Sequence, residues 1–192
     1  MEHSAAQPPP APLLAPLFGA VPFRPIGPES SGQISFWLAG ADLKPKRVLR
    51  RWEEGWDQLL PLGVRFAAVR IPGSIMHAVV VSDDVEAIAV VARDTLRGPV
   101  IAGMYARQRT YWALVPWRPQ VYWPDYLKRA APLLGPDSYL NVPPPACAVP
   151  PNFWVAPPRY RYDLCSREQV FNLIMRGWAG QNRPASAGSP AG

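Results

Sequence analysis

The chain has 192 residues, 48% of them hydrophobic, a formal net charge of +6, 26 prolines, eight tryptophans and two cysteines. That length and apolar content suit one domain with a real core plus appendages, while so much proline keeps long stretches out of helix interiors. Two cysteines, Cys147 and Cys165, make no disulfide framework, and no apolar run reaches the length of about 18 residues that a membrane span needs.

The first 32 residues hold eight prolines with Ala, Gly and Ser, the composition of a disordered arm. Leu13, Leu14, Leu17, Phe18 and Phe23 within it would also suit a short docking segment. The run Leu13 to Val21 is broken by Pro16 and has no charged stretch before it, so no signal peptide is expected and a reducing cytoplasm is the expected compartment. Arg24 against Glu2 and Glu29 in the arm, and Arg183 alone in the last 13 residues, cancel, so the +6 belongs to the body between them. A basic body suits an anionic partner.

Gln33 to Leu38 reads as a short strand. Asp42 and Pro45 then open a helix predicted over Lys46 to Leu60, with Val48, Leu49, Trp52, Trp56, Leu59 and Leu60 at helical spacing and Pro61 and Gly63 as its stop. Val64 to Ile71, rich in Val, Phe and Ile, reads as the central strand on which that helix packs. After the Pro72-Gly73 turn, Ile75 to Val81 reads as a second strand or the start of a buried segment. Asp83 with Glu86 fits a capping box opening a helix that ends at Arg97-Gly98-Pro99.

Val100 to Met104 and Thr110 to Val115 read as paired strands around Arg107-Gln108-Arg109. A short helix is expected within Tyr126 to Leu134, strands over Ser138 to Val142 and Asn152 to Val155, and a last helix from Ser166 with Val170, Phe171, Ile174, Met175 and Trp178 on one face. From Ala179 the composition turns to Gly, Ser, Pro and Ala, a disordered tail expected over residues 180–192. The expected architecture is one α+β domain over residues 33–179, a mostly antiparallel sheet with covering helices.

Three stretches, GVRFAAVRIP (residues 63–72), LRGPVIAGMYARQRTYWALVP (residues 96–116) and SYLNVPPPACAVPPNFWVAPP (residues 138–158), carry a resemblance. Together they resemble the small proteins of high-GC bacteria related to the bifunctional DNA primase/polymerase domain. The resemblance spans Gly63 to Pro158 and implies an RRM-like sheet. In active members, acids on one strand hold two divalent metals and a histidine on a neighbouring strand helps hold the nucleotide. Two metals need fixed carboxylates. Carried over, the acidic strand falls on Phe66 to Pro72, where Ala67 and Arg70 occupy the acid positions, and the strand Arg109 to Val115 has no histidine. The resemblance therefore implies a chain degenerate at the catalytic positions, not an enzyme of that kind, with no metal and no cofactor.

Asp83, Asp84 and Glu86 form the densest acid cluster, and a helix N-terminus accounts for them without a metal. His77 in an apolar stretch is expected to be packed or hydrogen-bonded. No Walker loop, nucleophile elbow or zinc spacing is present. What remains is basic residues among aromatics: Arg107, Arg109, Tyr111 and Trp112; Trp117, Arg118, Tyr122, Trp123, Tyr126, Lys128 and Arg129; and Arg159 to Tyr162. Stacking rings beside phosphate-binding cations hold single-stranded DNA or RNA, although strand alternation would also send half of these rings inward. The candidate nucleic-acid contacts are Arg65, Arg70, Arg107, Arg109, Tyr111, Trp117 and Arg118. The alternative is a protein-interaction module using the proline-rich arm or Pro143 to Pro158.

Overall fold

The computed structural model describes residues 31–119 and 122–181. Five strands, β1 (Gln58–Pro61), β2 (Ala67–Pro72), β3 (Val100–Tyr105), β4 (Gln108–Val115) and β5 (Leu133–Leu134), are followed by β6 (Tyr139–Val142) and β7 (Phe153–Ala156). Among the described residues six α-helices accompany them: α1 (Ser31–Ala39), α2 (Pro45–Glu53), α3 (Gly73–Val80), α4 (Val85–Val91), α5 (Asp125–Ala130) and α6 (Arg167–Gln181). The main sheet has the order β5-β2-β4-β3-β7, and every pairing in it is antiparallel. β1 and β6 form a separate antiparallel ribbon. This is the expected α+β class with an antiparallel sheet, but the central strand is β4, with β2 beside it.

Strand alternation sends side chains to two cores. Ala67, Val69 and Ile71 of β2 and Tyr111, Ala113 and Val115 of β4 face a core closed by α3, α4 and α6. Phe66 and Ala68, with Trp112 and Leu114, face a second core closed by Trp37 and Leu38 of α1, Val48 and Trp52 of α2, and Leu60, Leu140 and Val142 of the ribbon. With Leu127 of α5 also buried in the first core, the ribbon and two helices cover one face and four helices the other. Gly177 lets α6 lie against α3, since a Cβ there would collide with the Ile75 carbonyl.

Several expectations are corrected. Gln33 to Leu38 is helical: Ile34, Trp37 and Leu38 are buried at helical spacing while Phe36 stays 60% exposed. The next helix stops at Glu53, because Gly55 turns the chain at φ +83° and Leu60 joins the ribbon. Trp56 and Leu59, expected on its apolar face, are exposed. Val64 lies before β2, and Ile75 to Val80 belongs to α3, whose Ile75 and Met76 are buried. The helix α4 is capped by Asp84, one residue after the expected cap, its Oδ2 accepting from Ala87 N at 3.0 Å. Beyond Val91 the helix widens into a π-helical turn, Ala92–Leu96, closed by Arg97 in the left-handed region.

The β3–β4 hairpin forms as expected, turning on Ala106 and Arg107, both at positive φ (49° and 65°). The arm expected over residues 1–32 and the tail over 180–192 fall outside the described residues, except that α1 opens at Ser31 and α6 continues to Gln181.

Candidate nucleic-acid interface

The seven candidate contacts do not form one patch. Arg65, in the loop before β2, reaches back to α1, its Nε donating to Gly40 O at 3.3 Å. Arg107 is exposed at the hairpin turn. Arg109 lies on the helix-covered face, its guanidinium 5.9 Å from the Phe153 ring centroid. Tyr111 is a correction: it is 2% exposed, and its hydroxyl lies 3.0 Å from His77 Nε2. Burial raises its phenol above the ordinary value, a pull that nearby Arg109 partly offsets. That ring cannot stack on a base. Trp117 is half-buried, with its ring against the backbone of Gly135, where a Cβ would come within 2.6 Å of it.

Arg70 is placed otherwise. On β2 it points to the ribbon side of the sheet, opposite Trp112 in register. Its guanidinium carbon sits 4.1 Å from the centroid of Tyr105, a cation–π contact made across β4. Between them on the same face, Gly103 pairs with Thr110, and the space over Gly103, which has no side chain, is taken by the Asn152 amide and the edge of the Trp112 ring. The result is a groove of about 290 Å³ between sheet and ribbon, lined by Arg70, Tyr105, Trp112, Tyr139, Asn141 and Asn152 among others. Tyr105 and Tyr139 are 51% and 61% exposed at its edge; Arg70 covers one face of the Tyr105 ring, and the remaining ring surface is accessible to a planar ligand. Arg70 has no acidic partner among the described residues. The nearby acid is already engaged: Asp57 Oδ2 accepts from Asn152 Nδ2 at 2.7 Å and from Asn141 Nδ2 at 3.0 Å, tying the ribbon to the start of β7.

Arg118 lines a second and larger cavity with Arg167 and Phe171 of α6. The third basic-aromatic group serves the fold. Arg159 donates through Nε and Nη2 to the buried Asp163 at 2.9 and 2.8 Å, and Tyr162 meets Trp37 edge-on at 5.5 Å.

Tyr105, Tyr139, Asn141, Asn152 and Arg167 were not foreseen. Tyr105 was legible in principle. Once β3 and β4 pair around a two-residue turn, it opposes Gln108, two alternations from Trp112 and hence on the face of Arg70. Tyr139 and the asparagines needed the ribbon pairing, which no local signal announces.

The acid cluster is also accounted for. Asp84 caps α4, and Glu86 pairs with Arg93 at 3.2 Å. Among the described residues, no group of three or more His, Cys, Asp or Glu converges as metal ligands. Ala67 is buried in the helix-covered core, and the buried Cys165 thiol, raised chiefly by burial, donates to Pro99 O at 3.5 Å. No helix among the described residues is long and apolar enough to cross a membrane. No protein-family model matches the chain, and no curated protein or solved structure shows significant similarity to it.

Proposed function

We propose that the chain is a non-catalytic module with an RRM-like, primase/polymerase-related core that holds single-stranded DNA or RNA in the groove between the main sheet and the β1–β6 ribbon. The observation that carries the reading is Arg70: a guanidinium without an acidic partner among the described residues, stacked on one face of Tyr105 at a groove where Tyr105 and Tyr139 both keep exposed ring surface. On the resemblance, this residue stands where active relatives place a metal-binding acid. A fixed cation there meets a phosphate directly, where a carboxylate would need a metal to do so. Tyr105 and Tyr139 offer stacking surfaces that any base can use, so sequence preference is weak. Exposed Arg107 at the hairpin turn and the net charge of +6 add attraction. The two cysteines, both free, fit a cytoplasmic module.

The test is fluorescence anisotropy with a labelled single-stranded oligonucleotide over a salt series. Three or four phosphate contacts give a slope of roughly −2 to −3 in log affinity against log salt, with micromolar affinity at best near physiological salt. Absence of binding at low salt overturns the reading, and the groove then becomes a site for a protein partner.

A further inference from the structure

The larger cavity lies on the opposite side of the sheet from the groove, where the chain after β4 meets the first turn of α6, and measures about 930 Å³. Its walls are aromatic: Tyr122, Trp123 and Phe171. Trp123 and Phe171 meet edge-to-face at 6.5 Å, and Trp123 Nε1 donates to Ala131 O at 3.0 Å, so the indole is locked in place. Tyr122 is 84% exposed at the mouth. Two cations line the same space, Arg118 exposed and Arg167 half-buried. Neither has an acidic partner among the described residues. Arg167 Nη1 is buried and makes no hydrogen bond among the described residues. Folded proteins rarely leave a buried charged donor without an acceptor, and such an exception asks for an explanation.

We propose that this cleft binds a free, phosphorylated, ring-bearing small molecule of nucleotide size. A guanidinium pair is suited to a phosphate, which it can grip through paired N–H donors. Tyr122 and Phe171 give a planar ring a place to stack. Glu168, exposed at the rim, accepts hydrogen bonds from a sugar hydroxyl or ring amine and repels a bare polyanion. The cavity is within the range of about 300–1,000 Å³ that small-molecule sites occupy. The site is independent of the groove and shares no residue with it.

Calorimetric titration of the full chain with AMP, adenosine and inorganic phosphate tests this. AMP is expected to saturate one site with Kd below about 1 mM, and adenosine and phosphate to bind at least about tenfold more weakly. R118A and R167Q should each weaken AMP about tenfold or more. Arg118 is exposed, so R118A keeps the native melting temperature and separates binding from folding. R70A should leave AMP affinity unchanged. No saturation by AMP, equal affinity for inorganic phosphate, or indifference to both R118A and R167Q overturns the proposal. So does displacement of AMP from R70A by a single-stranded oligonucleotide, which would make the cleft a strand site.

Discussion

Replacing Arg70 separates the structural from the binding role of the groove. The guanidinium sits 4.1 Å from the Tyr105 centroid and is half-buried, a setting in which a cation–π contact contributes about 1 kcal/mol. R70A should therefore lower stability by about that much, or Tm by about 2–4 °C for a chain of this size. Its effect on binding is larger. A hydrogen bond to a charged group contributes about 1.5–3 kcal/mol, so losing one phosphate contact should weaken a single-stranded oligonucleotide about tenfold or more. The salt slope should flatten by about 0.7. R70K keeps the charge but loses the planar stacking group, so it should retain most of the slope while losing affinity and stability. Anisotropy over a salt series with parallel thermal melts reads all of these. Lower Tm with unchanged affinity and slope in R70A would show that Arg70 only clamps the hairpin, and the reasoning would fail.

Further substitutions probe the elements around the site. R107G relieves a left-handed conformation at φ 65°, which should raise stability by up to about 1 kcal/mol in denaturant unfolding while weakening oligonucleotide binding. D84A removes the cap on Ala87 N and should lower stability by about 1 kcal/mol without touching oligonucleotide affinity. Burial raises the Cys165 thiol far above the ordinary value near 8.5. The folded state then holds a proton that the unfolded state releases, so this stability is complete below about pH 8.5 and is lost as pH rises above it. The loss is up to about 2 kcal/mol by pH 10, and C165A should remove that part of the pH dependence. In the native protein a thiol reagent should label Cys147 well before Cys165, which is fully buried.

The hairpin was legible because alternation and the flanking Gly98-Pro99 and Pro116 act locally. The last helix was legible for a similar reason, its apolar residues recurring at three and four. Gln33 to Leu38 misled because Ile34, Phe36 and Leu38 alternate as in a strand while Ile34, Trp37 and Leu38 also fit a helix. Burial against α2 decides for the helix, with Phe36 left outside. Ile75 to Val80 carries β-branched residues, yet packing against α6, permitted by Gly177, outweighs that preference. Arg70 was legible as a candidate from the strand alone. Its stacking partner required the register across three strands, and the rest of the groove required the ribbon. Tyr111 was misassigned for the same reason: one step of alternation separates it from Trp112, and it turns inward to His77.

The central claim is that a single strand lies between sheet and ribbon. Titrating the isotope-labelled protein with a short single-stranded oligonucleotide at low salt, and following backbone amide and tyrosine ring resonances, tests it directly. The account predicts saturable shifts clustered at Arg70, Tyr105, Tyr139 and Asn141. Shifts confined to other surfaces, or none at all at saturating oligonucleotide, would contradict it.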